Sequence, residues 1–158
     1  MSRGFFGVAV YHPKTEVNIG TLWRSAYLFG AKFMATIGRR YKTQASDTYR
    51  STDHIPLFHY DAFEDFRAHL PDKTLLIAVE LVDGANALET FSHPERAVYL
   101  LGAEDHGIPQ EIMSKCHRII KIGTPMSLNV AVAGSVVMYD RHRKITTYCD
   151  VGVRCIHD

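Results

Sequence analysis

Four short apolar runs, none with polar alternation, constrain this chain most: Phe5 to Tyr11, Phe33 to Ile37, Thr74 to Leu81 and Arg96 to Leu101. A strand with one wet face alternates polar and apolar residues, whereas a strand buried on both faces does not. Runs of this kind need cover above and below, and the segments between them supply it at helical spacing. Between the first two runs, Ile19, Leu22, Trp23, Ala26 and Tyr27 mark a helix over Val17 to Phe29, with Gly30 where a C-terminal cap belongs. The expected fold class is therefore α/β, a mostly parallel sheet flanked by helices.

The remaining elements follow the same logic. Ile55 to Tyr60 is expected as a short edge strand, because Pro56 argues against a central one. Asp61 to Leu70 is expected as a helix capped by Asp61, with Phe63, Phe66 and Leu70 as its apolar stripe. Pro109 to Cys116 forms a short helix with proline in its first turn, Arg118 to Ile122 a strand, and Leu128 to about Arg143 the last helix. Gly38 to Asp53 is a polar, exposed loop. No repeat or linker interrupts the chain, so residues 1–144 are expected to form one domain and 145–158 an irregular tail.

Composition excludes several classes. The 158 residues carry a formal charge of +1, so a basic footprint for nucleic acid has to be local. No apolar run reaches the roughly 18 residues of a membrane span. Met1-Ser2-Arg3-Gly4 leads straight into the first strand without a signal-peptide layout. Cys116, Cys149 and Cys155 are too few and too late for a disulfide framework. A cytoplasmic protein with reduced thiols is expected.

Three segments are candidates for chemistry. Leu101-Gly102-Ala103-Glu104-Asp105-His106-Gly107-Ile108-Pro109 joins a strand to a helix, where ligands of open α/β sheets bind. Glycine there admits a ligand close to the backbone, although an acidic βα turn explains the segment equally simply. Asn18-Ile19-Gly20-Thr21-Leu22-Trp23-Arg24 places Arg24 either in a surface ion pair or on a phosphate, which suits its planar fork. Ser127-Leu128-Asn129 opens a helix with small residues behind it, Ala131, Ala133, Gly134 and Ser135. Its first residues can cap free N–H groups or present them to a polar ligand. The small residues allow close approach of a backbone or a flat ligand.

Together these segments resemble the three motifs of the SpoU/TrmH-type branch of the SPOUT methyltransferases, which methylate ribose 2′-hydroxyls of RNA. Asn18, Gly20 and Arg24 with Phe29-Gly30 match the first motif. Leu101 to Pro109 match the second without a gap, and Ser127 to Ala133 match the third. The resemblance covers about Phe5 to Arg143. It implies a C-terminal deep trefoil knot, an exception to the rule against threaded chains, a homodimer, and S-adenosylmethionine as cofactor.

By position, the resemblance places adenosine among Leu101, Gly102, Ile122 and Leu128, with Glu80, Leu81 and Ser127 nearby. It gives Asn18, Glu104, Ser127 and Asn129 to the methyl-transfer site and makes Arg24 the leading catalytic residue. A guanidinium is too basic to serve as a base at neutral pH, so Arg24 is expected to clamp the target phosphate and stabilise a developing alkoxide. No metal is needed. His106 lies where the family varies and is expected to face the RNA. The small residues of the last helix are expected to pack against the knot or a partner subunit.

Arg39, Arg40, Tyr41, Lys42 and Arg50 interleave charge and aromatic surface, which suits phosphate contact and base stacking as well as a solvated loop. Arg141, His142, Arg143 and Lys144 sit at an expected helix C-terminus, where positive charge is favourable without RNA. His142, Cys149, Cys155 and His157 fit no standard zinc spacing. The expected function is tRNA 2′-O-methylation. Alternatives are ribosomal RNA as substrate, a non-catalytic RNA-binding protein of the same fold, and a flavodoxin-like nucleotide-binding module.

Overall fold

The computed structural model describes residues 4–39, 54–102 and 104–150. Arg40, Tyr41, Lys42 and Arg50, and the tail residues Cys155 and His157, lie outside these. Among the described residues seven strands form one sheet: β1 (Phe5–Tyr11), β2 (Phe33–Ile37), β3 (Leu57–Tyr60), β4 (Leu75–Val79), β5 (Asn86–Ala87), β6 (Arg96–Leu101) and β7 (Arg118–Lys121). Their order is β3-β2-β1-β6-β4-β7-β5, and every pairing is parallel. The helices are α1 (Glu16–Leu28), α2 (Phe63–Ala68), α3 (Gln110–Met113) and α4 (Val130–Asp150).

The two-sided burial read from the sequence has a direct cause. In β1, Phe6, Val8 and Val10 enter one core with Ile19, Leu22 and Trp23 of α1 and Val137 and Met138 of α4. Ala9, between them, enters the other core with Phe63 and Phe66 of α2 and Ile112 and Met113 of α3. The same alternation recurs in β6, with Tyr99 and Leu101 on the first face and Val98 and Leu100 on the second. Period-two geometry thus sends successive apolar residues into opposite cores. Each fully buried Leu or Ile contributes about 1.5–3 kcal/mol against exposure.

The expected edge strand is the sheet edge β3. β5 was missed, because two residues carry no periodic signal. Asp61 does not cap α2: Ala62 holds the N-cap position without a side-chain bond, and the Asp61 carboxylate pairs instead with His59 Nε2 at 3.0 Å. The last helix begins at Val130 and runs to Asp150, past the expected end near Arg143 and into the stretch expected to be irregular.

That extension changes the meaning of the basic cluster at 141–144. Arg141 is buried, and its guanidinium donates to the Pro94 and Glu95 carbonyls at 2.6 and 2.9 Å and to the Tyr99 hydroxyl at 3.2 Å. Lys144 donates to the carbonyls of Leu88 and Phe91 at 2.6 and 3.0 Å and to Asp140 at 2.6 Å. Interior acceptors, and not a helix end, account for these two charges.

Gly134 and Ser135 of α4 face α1, whereas Ala133 lines the cavity at the carboxyl edge of the sheet. A β-carbon on Gly134 would lie 3.1 Å from Leu101 Cδ1 and closer still to Leu22. Ser135 Oγ donates to the Ala131 carbonyl at 2.7 Å, and its oxygen is left to accept from the Ser25 hydroxyl at 3.0 Å. Close packing of two helices within the chain explains this part of the pattern.

Candidate functional site

Parallel register brings three strand ends to one level. Val79 of β4 is opposite both Leu101 of β6 and Ile120 of β7. The residues after them therefore converge beyond the carboxyl edge of the sheet, where open α/β sheets bind ligands. A cavity of about 290 Å³ opens there. Val79, Leu101, Ile122, Leu128, Val130 and Ala133 form its apolar wall. Glu80, Glu104, Asp105, His106, Thr124 and Ser127 bring polar groups to it.

The loop after β6 folds back on itself. A β-carbon on Gly102 would lie 2.6 Å from the Ile108 nitrogen, so the close approach expected of a ligand is made by the loop's own return path. Gly107 takes a left-handed conformation (φ 59°), and a β-carbon there would run into the Glu80 carboxylate, 3.0 Å from its Cδ. Glu80 in turn accepts from the Ile108 N–H at 2.8 Å and the Leu81 N–H at 3.0 Å.

A polar chain links the three motif segments beside the cavity. Asn129 Oδ1 accepts from the Ala131 N–H at 2.9 Å, so this asparagine caps the start of α4. Its Nδ2 donates to Asn18 Oδ1 at 3.1 Å. Asn18 Nδ2 donates to Glu104 Oε1. Thr15 Oγ1 donates to the other carboxylate oxygen at 3.3 Å. Every amide orientation is set by its neighbour, from the helix start to the carboxylate. Alongside, Lys14 pairs with Asp105; the hydrogen bond between them raises the lysine pKa and lowers that of the aspartate. Arg39 donates to the Lys14 carbonyl at 2.7 Å.

The residues matched by motif are distributed unevenly around this site. Glu80, Leu81, Leu101, Gly102, Ile122, Ser127 and Leu128 all line the cavity, as does Glu104. Asn18 stands one hydrogen bond behind Glu104, and Asn129 one further. Arg24 is exposed on α1 and is not among the lining residues. Arg39 holds the loop before α1. His106, expected to face the RNA, is part of the lining.

Lys14 and Thr15 escaped sequence reasoning, since their partners lie 91 and 89 residues away and carry no local signal. Among the described residues no three His, Cys, Asp or Glu side chains gather as a metal set needs. Nor is any described helix long and apolar enough to cross a membrane.

A parallel α/β sheet with a ligand-sized cavity at a loop that returns on itself defines a class of binding fold, and the comparisons give it a family. Residues 6–139 match the SpoU rRNA Methylase family, and the chain belongs to it. The tRNA (guanosine(18)-2'-O)-methyltransferase of Escherichia coli (strain K12) is 27% identical over 133 residues, 80% of this chain and 58% of that protein. The chain thus spans about 58% of the length of that curated relative. A solved structure described as giving insights into 2-OH methylation of C/U34 on tRNA is 26% identical, with a TM-score of 0.78 over 92% of this chain and 99% of the other. An AdoMet-bound rRNA methyltransferase from Sinorhizobium meliloti is 25% identical, with a TM-score of 0.77 over 91% of this chain and 58% of that one.

Proposed function

We propose that the chain is an S-adenosylmethionine-dependent RNA 2′-O-methyltransferase acting on tRNA in the cytoplasm. One observation carries this: three segments separated by up to 111 residues meet at a single cavity through Asn129, Asn18 and Glu104. Family membership and the tRNA-modifying relatives support the reaction and the substrate class.

The residues present suit the cofactor. Leu101, Ile122 and Leu128 offer apolar surface to an adenine ring, while backbone beyond the strand ends offers polar edges. The Gly102–Gly107 return is built for close backbone packing. When bound, S-adenosylmethionine supplies an electrophilic methyl group.

The protein's own task is alignment of the ribose hydroxyl with that group. In this reading Glu104, held by Asn18 and Thr15, and Ser127, at the cavity wall, line the place where the hydroxyl arrives. Arg24 clamps the phosphate of the target nucleotide and stabilises developing negative charge. Arg39, Arg40, Lys42 and Arg50 contact the RNA backbone. The chain works as a homodimer: α1 and α4 leave Val17, Leu28, Val132 and Tyr139 exposed, 50% or more each, and a second copy would cover them. The segments around the cavity form the trefoil knot of the family, within one methyltransferase domain whose last element, α4, continues past the expected boundary at 144.

Calorimetry with S-adenosylmethionine and S-adenosylhomocysteine tests the cofactor, and no heat from either would end this reading. Arg24→Ala is expected to bind both ligands as the parent does while losing methyl transfer. Mapping 2′-O-methyl sites in RNA from cells with and without the gene identifies the target nucleotide.

A further inference from the structure

We propose that Glu80 is a positioning residue that sets the path of the return limb from Glu104 to Ile108 and, through it, the affinity of the cavity for its ligand. The proposal rests on the cofactor reading of the cavity.

Glu80 follows β4 directly, at the level where β4, β6 and β7 end together. Its two carboxylate oxygens are divided between two backbone donors. Oε1 accepts from the N–H of Leu81, which holds the side chain close to its own backbone. Oε2 accepts from the N–H of Ile108, 28 residues on, at 2.8 Å. A charged acceptor on a backbone donor makes one of the stronger protein hydrogen bonds.

Ile108 is nearly sealed in the core, 3% exposed, so this bond fixes the point where the loop re-enters the fold. The residue before it completes the arrangement. Gly107 lies against Glu80 Oε2 in a conformation with φ of 59°. Any side chain there would have to push the carboxylate away from Ile108. Between the two anchored ends, Glu104, Asp105 and His106 line the cavity. Loss of the Glu80 contact therefore frees the return limb of a loop whose middle forms one cavity wall. The motif resemblance had placed Glu80 only near the adenosine.

Two substitutions reach the same contact from opposite sides. Glu80→Ala removes the acceptor, and Gly107→Ala displaces it. Each is expected to weaken S-adenosylhomocysteine binding about tenfold, the loss typical when a buried donor is left without a charged acceptor. Glu80→Gln keeps one acceptor oxygen and is expected to restore most of the affinity. Gly107→Ala also strains the backbone at its positive φ, which Glu80→Ala does not relieve, so in the double variant only the shared contact is counted once and the loss is smaller than the product of the single losses.

The test combines calorimetry with amide hydrogen exchange on the unliganded protein. In Glu80→Ala the Ile108 amide is expected to lose protection while amides of β1 and β6 keep theirs. Unchanged Ile108 protection would overturn the proposal, as would losses that multiply in the double variant or an affinity insensitive to Glu80→Ala. A parent chain that binds no S-adenosylhomocysteine overturns the cofactor reading, and with it the affinity half of the proposal. The exchange measurement still decides the loop half in that event.

Discussion

One helix, α4, carries two polar networks that differ in nearly every respect. At its start Asn129 joins Asn18, Glu104 and Thr15 in a chain of side-chain bonds exposed beside the cavity. Further along, Asp140, Arg141 and Lys144 meet His93, Tyr99 and four backbone carbonyls from residues 88–95. The His93 side chain is fully buried and that of Asp140 is 12% exposed. Burial raises the Tyr99 pKa to about 12, so the hydroxyl keeps its proton; with His93 Nε2 donating to the Asp140 carboxylate, the neutral ring's Nδ1 is left to accept from that hydroxyl. The second network clamps the helix. The first is left wet, with groups a substrate can reach. A polar bond out of water is costly to break, because its partners have no solvent to turn to.

This contrast is open to direct attack, and the largest effect is expected in the clamp. Arg141→Ala leaves two carbonyls and the Tyr99 hydroxyl with fewer donors in a closed space. A loss of about 3 kcal/mol in urea unfolding is expected. A loss below about 1 kcal/mol would show that the network merely fills space.

Glu104→Ala attacks the other end. Methyl transfer is expected to fall about 100-fold, the scale for removing one positioned group from an active site. Stability is expected to stay within about 0.5 kcal/mol of the parent, as for most exposed positions. Equal damage to folding and activity would erase the distinction between the two networks.

Acid should loosen the clamp before it touches the fold elsewhere. Burial lowers the His93 pKa below its ordinary 6.5, against the pull of Asp140. For Asp140, burial alone would raise the pKa, but hydrogen bonds from Lys144, His93 and Arg143 outweigh it and the net direction is down. A depressed folded pKa means that the unfolded chain binds the proton more readily. Stability from His93 is therefore present above pH 6.5 and lost as pH falls through its folded value. Melting temperature is expected to decline as pH drops from about 7 to 5, with a shallower decline in His93→Gln. Parallel declines in parent and variant would assign the effect to other groups.

The smallest effect belongs to Lys14 and Asp105. Both side chains are about half exposed, 56% and 49%, so salt and water screen the pair. Lys14→Met is expected to leave the melting temperature unchanged and to alter only the salt dependence of ligand binding. A clear drop in melting temperature would move this pair to the side of the clamp.

Legibility in the sequence divides along the same line. β1, β2 and β6 match their expected spans residue for residue, since a strand buried on two faces leaves an unbroken apolar run. The cavity residues were legible through the motif resemblance, which fixes positions within each segment. Thr15 and Lys14 were not, nor were His93 with Asp140 and Tyr99 with Arg141, because each partnership spans dozens of residues. Asp61 looked like a cap by type, yet a nearby imidazole competed successfully for its carboxylate.

Local periodicity and spacing specified the parallel α/β class and the order of every strand and helix except β5, and the family resemblance marked the three segments around the cavity. Only the tertiary structure decided that Gly134 seats α4 on α1, that Gly102 makes room for the loop's own return, and that Arg141 belongs to the interior. Those outcomes depend on which surfaces meet across the sheet, and a linear pattern specifies the faces of an element without specifying its neighbours.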